Sequence, residues 1–158
     1  MAQDGARGGI DLVAENRKAR HDFFIEDTVE AGLALTGTEV KSLRAHRAHL
    51  RDSYARIKNG EAFLVGVHIS PYAPAGAFGH HETRPRKLLM HRREIDRLWG
   101  RVRDRGYSIV PLKIYFKRGL AKVELALAKG KRAYDKRAAI ARQESRREIE
   151  RVMKGRNR

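Results

Sequence analysis

The sequence predicts a mostly β protein with peripheral α: an OB-type antiparallel β-barrel of about six strands, with two or three short helices and a basic C-terminal tail that is disordered when free. Three observations predict it. Two segments read as strand–turn–strand hairpins, helical signatures lie between the strand groups, and the chain loses every core-forming pattern after Ala128. Short strands joined by hairpins around a helix favour a small closed or partly open barrel, with an open α+β sheet as the alternative.

Taken in order, residues 1–15, with Gly5, Gly8 and Gly9, read as a flexible leader, and order is expected to begin near Asn16. From Phe23 to Leu35, the apolar residues Phe23, Ile25, Val29, Leu33 and Leu35 fall on alternating positions, the pattern of a half-buried strand. Thr36 followed three residues later by Glu39 is a capping box, which opens a short helix over about residues 37–46. Tyr54 to Lys58, Asn59-Gly60 and Glu61 to Ile69 make a hairpin, because Asn-Gly tolerates the positive φ that a tight turn needs. Ser70 to Lys87 is a proline- and glycine-bearing connector, long for a compact domain. His91 to Arg105 places Ile95, Leu98, Trp99 and Val102 at helical spacing and stops at Gly106. Tyr107 to Phe116, a turn at Lys117-Arg118-Gly119 and Ala121 to Ala128 form the second hairpin, and Pro111 demands an edge or a bulge.

The chain has 158 residues, 41% apolar and 34% charged, which suits one compact domain plus an arm and not two full-sized domains. The expected division is leader 1–15, barrel 16–130 and tail 131–158. Residues 129–158 carry twelve Lys or Arg against four acids, half of the formal surplus of +16. Such an arm cannot bury enough apolar surface to offset its ordering entropy, and a polyanion that releases counterions on binding is its natural partner. Nucleic acid fits that description. No stretch approaches a membrane span and the start lacks a signal-peptide core, so the expected location is cytoplasmic, with no membrane partner. The absence of Cys excludes disulfide and thiolate chemistry.

Catalytic readings find little support. His80-His81-Glu82 is the one cluster resembling a metal site, but adjacent loop side chains do not share a face and no ligand spacing accompanies them. Glu26, Asp27 and Glu30 read as a polar strand face. No enzyme activity, catalytic residue, metal or cofactor is expected. The basic groups carry more. Arg93, Arg97, Arg101 and Arg105 repeat every four residues along one helix side, and Arg84, Arg86 and Lys87 crowd the end of the long connector. Either set could grip phosphate, the first equally well being a solvated helix side partly neutralised by Glu94, Asp96 and Asp104.

Several blocks, in consistent order over about residues 16–158, resemble the SmpB (SsrA-binding protein) family of bacterial trans-translation. They are Asn16-Arg17-Lys18-Ala19-Arg20-His21, Glu30-Ala31-Gly32-Leu33, Gly37-Thr38-Glu39-Val40-Lys41-Ser42-Leu43-Arg44, Asp52-Ser53-Tyr54, Arg86-Lys87-Leu88-Leu89-Met90-His91, and Ala128-Lys129-Gly130-Lys131 with Asp135-Lys136-Arg137. The resemblance implies an OB-type barrel that binds the tRNA-like domain of transfer-messenger RNA and brings it to the A site of a stalled 70S ribosome. Elongation factor Tu with GTP joins through the shared RNA complex. The protein stands at the decoding centre of the small-subunit rRNA, and its tail, helix-forming on the ribosome, probes the empty mRNA channel.

By matching position, the resemblance puts Glu30, Leu89 and His91 on the tRNA-like domain, with Arg86 and Lys87 beside them. It puts Gly130, Tyr134, Asp135, Lys136 and Arg137 at the ribosome-engaging start of the tail, and Val152 and Met153 at its end. A base amino group could donate to Glu30, and Leu89 could pack on an exposed base or sugar. Tyr134 would stack on a base while Lys136 and Arg137 engage phosphate. A general rRNA-binding or ribosome-associated OB-fold protein without a role in trans-translation is the competing reading.

Overall fold

Nine strands and three α-helices lie within residues 10–130 of the computed structural model, which describes residues 9–131, 146, 147, 149–151 and 154, with Asp104 and Arg105 described by backbone alone. The strands are β1 (Ile10–Glu15), β2 (Phe23–Leu33), β3 (Ala48–His49), β4 (Tyr54–Lys58), β5 (Glu61–Val65), β6 (His68–Ile69), β7 (Arg86–Leu89), β8 (Ser108–Lys117) and β9 (Leu120–Gly130). The helices are α1 (Arg17–Asp22), α2 (Gly37–Arg44) and α3 (Arg92–Arg105). Strands β8, β4, β5, β7, β2 and β9 hydrogen-bond in that order, and β9 returns to β8, so six antiparallel strands close a ring. Closure removes the exposed edges that an open sheet would offer for aggregation. The expected OB-type barrel is the observed one.

Each hairpin turn obeys its local chemistry. Asn59 and Gly60 both take positive φ (53° and 75°), as do Arg118 and Gly119 (53° and 77°), which is the backbone a two-residue turn between right-twisted strands needs. The strand expected over residues 61–69 is interrupted at Gly66, where φ is 83° and a Cβ would sit 3.0 Å from the Asp52 carbonyl oxygen. Beyond that kink, β6 leaves the ring to pair with β3. Pro111 resolves as a bulge: the β8–β9 register shifts between Pro111 and Lys113. Asn16 fastens that bulge, donating its amide N–H to the Leu112 carbonyl (2.7 Å) and its side-chain Nδ2 to the Pro111 carbonyl (3.0 Å).

The capping box forms as expected. The Glu39 amide donates to Thr36 Oγ1 (3.4 Å) and the Thr36 amide to Glu39 Oε1 (2.9 Å), while α2 ends at Arg44, before His46 turns to φ 57°. Helix α3 stops at left-handed Gly106 and lays Ile95 and Leu98 onto the core. Alternation along β9 is read out on two sides. Val123, Leu125 and Leu127 fill the barrel, and Ala126 and Ala128 join Ala19, Val110 and Leu112 in a smaller outer cluster that seats α1.

Two elements correct the sequence reading. Residues 10–15, expected to lie in a flexible leader, form β1, which runs along β8 from Ile10 opposite Lys117 to Glu15 opposite Lys113, with Val13 in the core. The 70–87 connector is also shorter than expected, because its end is β7, the strand that joins β5 to β2 and completes the ring. Helix α1 is a further addition, six residues long, whose N-terminus the Asn16 side chain caps by accepting from the Ala19 amide (3.2 Å).

Candidate nucleic-acid interface

Four residues from three elements converge on one open groove of about 630 Å³. Strand β7 supplies Lys87 and Leu89, β2 supplies Glu30, and the N-terminus of α3 supplies His91. Leu89 is 53% exposed, an apolar side chain with no cover, beside Gly32 across the β2–β7 pair. A Cβ at Gly32 would lie 3.2 Å from the Leu89 Cβ, so the missing side chain is what lets Leu89 stand in the groove. His91 caps α3 with its backbone only: its carbonyl accepts from the Glu94 and Ile95 amides (3.0 and 3.1 Å) and its ring makes no capping bond, which leaves the imidazole for other work.

Glu30 is held as a charged acceptor. The Tyr115 hydroxyl donates to its Oε2, and Lys117 Nζ lies 3.5 Å from the same oxygen. The tyrosine bond, aided by Lys117, keeps the carboxyl below its ordinary value of 4.5 against the burial that would raise it. Burial and the same bond push the Tyr115 hydroxyl up, so it stays a neutral donor. Both bonds fall on Oε2; Oε1 has no partner among the described residues. A carboxylate with one oxygen tied and one open repels phosphate and accepts from a base amino group.

The sequence reading missed two groove residues. Lys122, opposite Gly32 on β9, read only as the polar side of an alternating strand. Arg92 lies over the first hairpin turn, its Cζ 2.9 Å from where a Cβ on Gly60 would be, and pairs with Asp96 at 3.3 Å. With Glu61 paired to Lys87 at 3.6 Å, the groove mixes charges, and nothing in it is a plain phosphate comb.

Arg86 is a correction. It was expected on the RNA face, yet it is 1% exposed: its Nε donates to Glu39 Oε2 (2.6 Å), Nη1 to the Val67 carbonyl (2.6 Å) and Nη2 to the Glu82 carbonyl (2.9 Å). A guanidinium so engaged cannot reach a ligand; it holds β7 against α2. The α3 arginines are partly committed too, Arg97 to Asp27 (3.4 Å) and Arg101 to Glu26 (3.3 Å), which gives the acids of β2 a structural use. His80 is a latch, bonded through Nδ1 to Thr38 Oγ1 (2.9 Å) and through Nε2 to the Ile69 carbonyl (3.0 Å).

Of the tail positions, Gly130 is seen as the last residue of β9, paired with Phe23. Tyr134, Asp135, Lys136, Arg137, Val152 and Met153 lie outside the described residues. Among the described residues no helix is long and apolar enough to cross a membrane.

Fold and groove together define a class: a single OB-type barrel presenting one charge-mixed, partly apolar groove. The chain belongs to the SmpB protein family, which matches residues 13–155. Similar curated proteins include the SsrA-binding protein of Symbiobacterium thermophilum, 60% identical over 152 residues and covering 96% of each chain. That of Roseiflexus castenholzii is 58% identical over 156 residues, 97% of this chain and 99% of its own. Among solved structures, one described as "tmRNA-SmpB: a journey to the center of the bacterial ribosome" matches with a TM-score of 0.64 and 52% identity, covering 75% of this chain and 84% of that one.

Proposed function

We propose that this chain binds the tRNA-like domain of transfer-messenger RNA in the Glu30–Leu89–His91 groove. It then delivers that RNA to the A site of stalled ribosomes in trans-translation, in the cytoplasm. Elongation factor Tu with GTP rides on the same RNA, and the tail, with Gly130 as its root and Tyr134, Asp135, Lys136, Arg137, Val152 and Met153 as its contacts, probes the empty mRNA channel. The protein works by binding and catalyses no step. The relatives' shared name, and the solved neighbour whose description names tmRNA, SmpB and the bacterial ribosome, support this reading.

One observation carries it furthest. Gly32, beside Leu89, pairs with Lys122 near the start of β9, and Phe23 pairs with Gly130 at its end, so groove and tail root sit at opposite ends of one strand. Eight residues of strand separate them by about 25 Å. A body of that shape can hold one RNA at each end.

The groove's own acids give a prediction. Because Glu30 and Glu61 oppose indiscriminate phosphate binding, affinity for the isolated tRNA-like domain should survive physiological salt and an excess of elongator tRNA. Glu30→Ala with Leu89→Ala removes a charged hydrogen bond and an apolar contact, worth together about hundredfold in Kd. Filter binding across a salt series measures both. If both RNAs bind alike and both curves collapse with salt, the chain is a general rRNA-binding barrel; if the double variant binds as tightly as the native chain, the groove is not the site.

A further inference from the structure

The loop between β6 and β7 holds a side chain that the groove does not use. Phe78 is 93% exposed, far more than any other large apolar side chain among the described residues. It ends a short 3-10 stretch, Ala73–Phe78, that Gly76 kinks with φ 56° and ψ −127°. A lone apolar side chain at a surface is ordinary, so what gives this ring meaning is the loop that carries it.

This loop is built. Both nitrogens of His80 are bonded, to Thr38 of α2 and to the Ile69 carbonyl of β6. The Ser70 amide donates to the Arg47 carbonyl (2.9 Å), the Ile69 amide to the Glu82 carbonyl (3.0 Å) and the Ala75 amide to the Tyr72 carbonyl (3.0 Å). Lys41 Nζ stands 5.1 Å from the Tyr72 ring centroid. The loop is thus tied to the barrel on both flanks of Phe78, at Tyr72 and at His80, so less ordering entropy remains to be lost on binding than in a loop free at its base.

Charge names the partner. Helix α2 and the turn after it, to which the loop is tied, carry Lys41, Arg44 and Arg47, and the two carboxylates nearby are already spent, Glu39 on Arg84 and Arg86 and Glu82 on His68 at 2.9 Å. A flat apolar ring in a surplus of cations fits a ligand that is polyanionic and offers a flat apolar face, which is an unstacked nucleobase on an RNA backbone. We infer that Phe78 is a stacking finger for a second RNA, one that is not the groove's ligand. No residue of the loop lines the groove. Given the proposed function, on which this assignment rests, that RNA belongs to the ribosome.

The test compares two affinities of the full chain, for the isolated tRNA-like domain and, in complex with it, for stalled 70S ribosomes. Phe78→Ala should leave the first unchanged and weaken the second about five- to hundredfold, the usual loss of one base–aromatic stack. Phe78→Trp should restore it and Phe78→Leu should not. Full binding by the Leu variant would mean that the ring fills an apolar protein pocket, and an unchanged Ala variant would mean that it touches nothing; either overturns the finger. A native chain that fails to prefer the tRNA-like domain overturns the groove reading instead, and the two failures stay apart because Phe78 lies outside the groove. Thermal melts of all three variants should match the native chain, since the side chain is bathed in solvent.

Discussion

Glu39→Ala should lower stability by about 3–5 kcal/mol and the melting temperature by on the order of 10 °C. Glu39 is fully buried and joins two systems. Its Oε1 accepts from the Thr36 amide and from Arg84, and its Oε2 accepts from Arg86, itself 1% exposed. Deleting the carboxylate leaves a guanidinium charge inside the protein with carbonyls but no counter-ion, and it also opens the α2 capping box. Glu39→Gln keeps the shape and loses the charge, so it should fall between. Replacing Arg86 by Met in the Glu39→Ala background should recover part of the loss, because the uncompensated charge goes with it. The same carboxylate fixes the pH response. Burial alone would raise its pKa, but Arg84, the Thr36 amide and Arg86 outweigh burial and hold it below 4.5. A depressed folded pKa stabilises fully above the unfolded value and is lost as pH falls through the folded one. Melting temperature should therefore drop as pH descends below about 4.5, and Glu39→Gln should show a flatter acid limb. Urea and thermal melts of the four proteins test this, and a Glu39→Ala variant melting like the native chain would sink it.

The network also explains what could and could not be read in advance. Hairpins declare themselves locally, through Asn59-Gly60 and Arg118-Gly119, and α2 through Thr36 and Glu39. Strand β7 hid because one of its two inward positions is Arg86: a central strand whose core face reads arginine–leucine has no apolar alternation, and the partner that neutralises it lies 47 residues away. Arg86 was misplaced on the RNA face for the same reason, since a buried arginine and an exposed one look identical in sequence. Strand β1 hid because Ile10 and Leu12 face solvent and a register shift between Leu12 and Ala14 breaks the alternation that would have announced Val13. Glu30, Leu89 and His91 were named from resemblance alone. That they share one groove depends on β2–β7 pairing and on the entry of α3, and Lys122 joins them only through the β2–β9 register, none of which local pattern encodes.

Truncation after Ala133 is the prediction with the largest functional effect: tagging of stalled chains should be abolished, while affinity for the tRNA-like domain stays within about twofold of native. Every groove residue precedes the cut, and Glu30, Leu89, His91 and Lys122 are positioned by β2, β7, α3 and β9, whose pairings the cut does not touch. What is lost is charge. Residues 134–158 hold nine Lys or Arg against four acids, a surplus of five. Fewer releasable counterions mean a shallower salt dependence, and the loss falls hardest on RNAs held by charge alone. The truncated chain should therefore discriminate better between the tRNA-like domain and elongator tRNA than the full chain does, even as it fails on the ribosome. Tyr134→Ala should reproduce the tagging defect in part and leave the discrimination unchanged, whereas Lys136→Ala with Arg137→Ala should reproduce the defect in part and, with two fewer cations, sharpen the discrimination by less than the truncation does. Tagging is scored in a cell-free reaction programmed with an mRNA lacking a stop codon, and binding by titration in parallel. Equal loss of both activities on truncation would refute the division between groove and tail, because it would mean that the basic arm, and not the barrel, holds the transfer-messenger RNA.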